Sequence, residues 1–166
     1  MRTRLVAFVC VLLAVATSCG SSDAEPQRAT GSPAPSSPMP SFATSAAIIE
    51  TDDGPVLIDV EVAQTIEQRQ YGLMNRTHLD EDAGMIFIFF EPSSTGFWMK
   101  NTRIPLSIAY FGKNGRILRI MDMEPCKKDP CPVYDPGVVY HGALEVNQGA
   151  FDRWDVEEGD IIRMNQ

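Results

Sequence analysis

Met85-Ile86-Phe87-Ile88-Phe89-Phe90 decides the fold of this chain. The run is unbroken by a polar residue and too short for an ordinary buried helix, so it reads as a central strand covered on both faces. Upstream, Val56, Ile58, Val60 and Val62 alternate with Leu57, Asp59 and Glu61, the period of a half-buried strand. Ala47 to Thr51, joined to it by the turn Asp52-Asp53-Gly54, is its hairpin partner. Downstream, Ser107 to Phe111 and Arg116 to Met123 flank Gly112-Lys113-Asn114-Gly115, and Asn-Gly between apolar runs is a strong hairpin signal. Val138 to Val146 and Asp160 to Met164 bring the candidate strands to at least seven. The one convincing helix starts at Thr65, whose side chain can cap the first turn while Gln68 returns the bond, and Gly72 stops it. The class expected is mainly β with one short helix.

The N-terminus carries an address. Arg2 and Arg4 precede the apolar run Leu5 to Val15, and Ala16-Thr17-Ser18 lead into Cys19. Residues 1–18 therefore read as a signal peptide, since 11 apolar residues are far short of the about 20 needed to span a bilayer. The pattern resembles the lipobox of bacterial lipoproteins, with Ala16 where leucine is usual, and makes Cys19 the lipidation site. The expected location is the extracytoplasmic face of a membrane; plain secretion is the alternative. Residues 19–46 are rich in Ser, Pro and Ala, cannot bury a core, and read as a tether spanning roughly 28 Å as a flexible coil.

The remaining residues, 47–166, suffice for one domain. They carry 11 basic and 20 acidic residues, a formal charge of −9, which disfavours nucleic acid and anionic lipid as partners. Asp80-Glu81-Asp82 lacks the spaced ligands and glycine of a calcium loop. With Cys10 removed in the signal and Cys19 acylated, Cys126 and Cys131 remain as a pair, which export would let oxidise to a disulfide. A metal site is the competing reading; it needs two further ligands, with only His78 and His141 available. No metal or other cofactor is expected.

Two places invite a ligand. Arg69 lies on the same side of its short helix as Ile66 and so points partly toward the body of the domain, either into an ion pair or as a clamp for an anion. In Phe97-Trp98-Met99-Lys100-Asn101-Thr102, an extended chain would put Trp98, Lys100 and Thr102 on one face. Such a strand end can line a pocket by stacking and hydrogen bonding; alternatively Trp98 is core and Lys100 pairs with a carboxylate such as Glu145. His78 reads as a solvent-facing loop residue and His141 as a local hydrogen-bonding group. Met74, Met85 and Met99 read as core filler, with a soft-metal site as the alternative.

Gly72-Leu73-Met74-Asn75-Arg76, Gly84-Met85-Ile86-Phe87-Ile88-Phe89, Phe97 to Thr102 with Ile104-Pro105-Leu106, Ala143-Leu144-Glu145-Val146 and Gly159-Asp160 resemble the successive blocks of the DUF192 family. Arg69 also fits, and this chain has Ser107 where the family often has aspartate. The resemblance implies a jelly-roll-like β-sandwich, and some exported members similarly carry a cysteine pair before the Ala-Leu-Glu block. It implies no reaction and no cofactor. Two functions follow as expectations. The first is a non-catalytic binding or accessory module in which Arg69, Trp98, Lys100, Asn101 and Glu145 take a small anionic or sugar-like envelope ligand, or the surface of an envelope protein. The second is an extracytoplasmic hydrolase with Glu145 or His141 as base and Lys100 stabilising negative charge; no Gly-x-Ser-x-Gly or His-Glu-x-x-His pattern supports it.

Overall fold

The hairpin read around Asp52-Asp53-Gly54 is present as β1 (Ala43–Thr51) and β2 (Gly54–Ala63), with Ile48 opposite Leu57. The computed structural model describes residues 39–164, so the signal segment, Cys19 and residues 19–38 of the tether lie outside the described residues. β1 begins at Ala43, inside the Ser/Pro/Ala-rich stretch.

After β2 the chain crosses through α1 (Ile66–Tyr71) and returns as β3 (Ala83–Ser93), which pairs with β2 in parallel, Val60 beside Gly84. A parallel neighbour requires such a crossover, and the short capped helix supplies part of it. The two-residue strand β4 (Phe97–Trp98) follows, then β5 (Leu106–Phe111) and β6 (Ile117–Met123), the hairpin expected from Asn114-Gly115. β7 (Val133–Tyr134) pairs with β4 as a separate ribbon. β8 (Tyr140–Asn147), α2 (Ala150–Arg153) and β9 (Ile161–Met164) complete the chain. The sheet order is β6-β5-β8-β3-β2-β1-β9.

The mainly-β expectation holds, with two short helices instead of one. The pairing does not divide the strands into the two sheets of a sandwich: seven form one mixed sheet and two form the ribbon. The outer strands of that sheet, β6 and β9, meet at one end. Arg116 bridges Ile161, Ile117 N–H donates to Asp160 (2.8 Å), and Ile162 N–H donates to the Gly115 carbonyl (2.9 Å). Gly115 makes this contact possible: it has φ +83°, and a Cβ there would stand 2.2 Å from the Ile162 carbonyl oxygen.

Curling gives the sheet an inside. All seven strands contribute to one core, including Ile49, Ile58, Ile86, Ala109, Ile117, Leu144 and Ile162, and α2 adds Phe151. The second core covers the opposite face of β3, β5 and β8, where Met85, Phe87, Ile108, Tyr110 and Ala143 pack under Leu73, Leu79 and Met99. That double coverage explains the unbroken apolar run. Met85, Ile86 and Phe87 are buried on alternate faces, while Phe90 at the end of the run is 80% exposed. Ser107 is buried because its hydroxyl donates to Asp122 and accepts the Gly149 N–H ahead of α2 (2.8 Å).

Candidate functional site

α1 is fixed by its own sequence. Thr65 accepts from the Gln68 N–H (3.1 Å), and Gln68 Oε1 accepts in return from the Thr65 N–H (3.0 Å), the capping box expected. Gly72 ends the helix at φ +50° with its N–H on the Gln68 carbonyl (2.8 Å). Its bare Cα also admits the ring of Phe87, which a Cβ would meet at 3.4 Å. The helix therefore lies close over β3.

Arg69 is half-buried on the side facing β3, whereas Ile66 is 69% exposed. It makes no ion pair with any described residue. Nη1 donates to the carbonyls of Gln64 (2.6 Å) and Ile88 (3.1 Å), and the guanidinium stacks 4.8 Å over the Phe89 ring. This ties α1 to the edge of β3 and leaves Nε and Nη2 without a protein partner among the described residues. An arginine can hold this position without a carboxylate because guanidinium is weakly hydrated and planar.

Beneath Arg69 the rings of Phe87, Phe89, Phe97, Tyr110 and Tyr140 meet edge to face, with centroids 4.9 to 5.6 Å apart for the tightest pairs. The phenols hold the ribbon. Tyr140 donates to the Thr95 carbonyl and Tyr110 to the Tyr134 carbonyl (3.2 Å). Burial pushes the Tyr110 hydroxyl far above its ordinary value, helped by neighbouring Tyr140 and Glu145, so it stays a donor at any ordinary pH. Trp98 is not core. It is 50% exposed and, with Arg69, Phe89, Phe97, Val133 and Tyr140, lines an open groove of about 420 Å³.

Lys100 and Asn101 do not share that groove. The extended reading of Phe97 to Thr102 fails after two residues, because Asn101 adopts φ +58° and Thr102 N–H turns back to the Met99 carbonyl (3.2 Å). Lys100 sits 3.6 Å from Asp129 rather than on Glu145, and its ammonium stands 5.7 Å from the Trp98 ring. With Asn101, Lys127, Lys128 and Asp129 it lines a separate hollow of about 160 Å³ beside the Cys126–Cys131 disulfide.

Glu145 lies on β8 between Met85 of β3 and Ile108 of β5, on the face covered by α1. It is 5% exposed, and its side chain makes no hydrogen bond or ion pair with any described residue. Burial alone pushes its carboxyl up to about 8, so at neutral pH it carries a proton. It borders a cavity of about 30 Å³ that shares Arg69, Phe97 and Trp98 with the groove and adds Gly72, Met74 and Thr102. Of the five expected ligand residues, then, Arg69, Trp98 and Glu145 come together, while Lys100 and Asn101 stand apart.

The strand blocks, the Trp98 turn and the Glu145 strand lie within one stretch, residues 47–164, that matches the family model DUF192, described as an uncharacterized ACR. The chain belongs to the DUF192 family. Two solved structures share the DUF192 fold seen here. A Sinorhizobium meliloti 1021 protein, described as a proposed transcription regulator, is 31% identical with a TM-score of 0.70, covering 75% of this chain and 95% of its own. A Novosphingobium aromaticivorans DSM 12444 protein of unknown function is 28% identical with a TM-score of 0.64, covering 75% and 93%. No curated protein matches the chain.

One further opening on this DUF192 domain escaped the sequence reading. A polar cleft of about 580 Å³ runs between β2 and the connection before β3, lined by Asp59, Glu61, Arg76, His78 and Asp80. Arg76 pairs with Glu61, and His78 with Asp80 at 2.9 Å. The available signal was Glu61 pointing away from the alternating core residues, but nothing local links it to Arg76. His141 is half-buried on β8 and makes no hydrogen bond or ion pair with any described residue.

Proposed function

We propose that this chain is a non-catalytic binding module, anchored through lipidated Cys19 at the extracytoplasmic face of a membrane, whose ligand lies in the groove between α1 and the β4–β7 ribbon. The observation that supports it is the half-exposed Trp98 over a groove of about 420 Å³, walled by Phe89, Phe97 and Tyr140 and rimmed by Arg69. A domain gains nothing in stability from leaving an indole half in water, whereas concave aromatic walls with few polar groups suit a small ligand. The domain's formal charge of −9 argues against carrying over a role on DNA from the Sinorhizobium relative.

The hydrolase alternative has less support. Lys100 borders the disulfide hollow, not the cavity at Glu145, so the cation offered as oxyanion stabiliser and the candidate base do not converge. The test is a thermal-shift screen of the purified full chain against envelope-derived saccharides, carboxylates and small aromatic compounds. A ligand of this site should raise the melting temperature of the native chain and not of Trp98→Ala. A screen in which every stabilising compound acts equally on both proteins would defeat the assignment.

A further inference from the structure

The groove leaves open what kind of molecule enters it, and Glu145 narrows the choice. This carboxyl is 5% exposed, has no hydrogen-bonding partner among the described residues, and borders the small cavity whose rim is shared with the groove through Arg69, Phe97 and Trp98. No side-chain oxygen is left both sealed from solvent and unpartnered among the described residues, so the Glu145 carboxyl reaches the opening, where a group from outside the chain can replace its water. The cavity measures about 30 Å³. It is far smaller than the groove of about 420 Å³, so only a small end group of a ligand lying in the groove enters it.

The surroundings restrict that tip further. Apart from Glu145, the polar side chains on the cavity are Arg69 and Tyr71 from α1 and its end, and Thr102 from the turn after β4; Met74, Phe87, Phe97 and Trp98 supply much of the rest. An ammonium would meet the Arg69 guanidinium in the same confined space. A carboxylate would have to shed its water against Leu73, Met74, Phe87, Phe97 and Trp98, beside a second carboxyl group. A hydroxyl or carbonyl has neither difficulty.

We propose that groove and cavity form one site of two compartments, whose ligand has a flat apolar body against Trp98 and Phe89 and ends in a single neutral hydroxyl or carbonyl that bonds to Glu145. This rests on the groove being the ligand site and adds the class of ligand. The protonated state of Glu145 at neutral pH is consistent with it, since a carboxylic acid donates to a carbonyl and both donates to and accepts from a hydroxyl. The position resembles a site that recognises an alcohol or amide on an aromatic or branched body more than one for a charged metabolite.

The test uses four one-ring probes of common body: benzyl alcohol, benzylamine, benzoate and toluene. Each is titrated at pH 6.5 into the full chain while the Trp98 indole N–H signal is followed by NMR. Benzyl alcohol should bind at least about tenfold more tightly than benzylamine or benzoate, the ratio expected of one well-placed hydrogen bond against a desolvated charge. Glu145→Leu should bring benzyl alcohol to the level of toluene and leave toluene unchanged, and Glu145→Gln should keep most of the alcohol affinity because an amide can make the same bond. Benzylamine or benzoate binding as well as the alcohol would overturn the neutral-tip proposal while leaving the groove assignment standing. If none of the four moves the Trp98 signal, the groove assignment itself falls. Loss of alcohol binding in Glu145→Gln with an unchanged melting temperature would also overturn the proposal, by removing the hydrogen bond as its cause.

Discussion

Replacing Glu145 by glutamine should make this domain more stable at neutral and alkaline pH and leave it nearly unchanged in acid. The carboxyl ionises at about 8 in the folded chain against an ordinary value of 4.5, with burial as the cause. Between those two pH values the unfolded chain has released this proton and the folded chain has kept it. Folding then loses stability as pH rises, about 1.4 kcal/mol per pH unit. The penalty is absent below pH 4.5, reaches about 3 kcal/mol near pH 7 and levels off at about 5 kcal/mol above pH 8, a large part of the 5–15 kcal/mol typical of a whole domain. The charged groups packed against the site do not offset it: Arg69 is engaged with Gln64, Ile88 and Phe89, and Tyr110 on β5 stays neutral. Glutamine has nearly the same shape and no proton to lose, so the variant lacks this slope. Urea unfolding of both proteins at pH 4.5, 6, 7 and 8.5, followed by tryptophan fluorescence, measures the gap directly, because all other titrations cancel in the difference. The two curves should lie within about 1 kcal/mol at pH 4.5 and separate steadily to several kcal/mol at pH 8.5. A gap that stays constant across this range would refute the reasoning, since it would mean that the carboxyl is already ionised and solvated in the folded chain.

Three further outcomes follow from the geometry. Gly115→Ala places a Cβ against the Ile162 carbonyl at a position with φ +83° and should cost about 3 kcal/mol in urea unfolding, with the loss accompanied by faster amide exchange at Ile117 and Ile162 where the sheet closes. Replacing both Cys126 and Cys131 by serine opens a link of sequence separation 5 and should lower stability by about 2 kcal/mol by loop entropy, without changing binding in the Trp98 groove. Arg69→Met keeps the contact with Phe89 but strands the carbonyls of Gln64 and Ile88; a loss of about 1–2 kcal/mol, with α1 amides exchanging faster than those of β3, is expected.

The parts legible in the sequence were those that a few neighbouring residues determine. Thr65 and Gln68 complete their capping box within one turn, Asn114-Gly115 closes a hairpin within its own loop, and the run at Met85 needs only its own composition to show that both faces are covered. What was missed depends on distant residues. β4 and β7 have two residues each, too short for any period, and are held by distant phenols: Tyr110 donates to the Tyr134 carbonyl, Tyr140 to the Thr95 carbonyl, and the Phe97 ring packs on Tyr110. The parallel pairing of β2 with β3 and the meeting of β6 with β9 are matters of topology, and only Gly115 marks the latter in the sequence. The expected face of Trp98, Lys100 and Thr102 was lost for a local reason: the strand stops at Trp98 and Asn101 turns the chain over.

That turn also sorts the charges of the site. By swinging Lys100 toward Asp129 and the disulfide, it removes the cation most able to neutralise Glu145. The other candidate, Arg69, is held over Phe89 by two backbone carbonyls, and burial alone sets the Glu145 ionisation. A carboxyl kept from both cations within a mainly apolar wall has two stable options, to remain protonated or to acquire a partner from outside the chain. Stability alone would favour glutamine or leucine at this position, by the same few kcal/mol that the pH series is designed to measure. An acid that costs the fold this much, on a small opening that shares Arg69, Phe97 and Trp98 with the groove, is why we propose a ligand there.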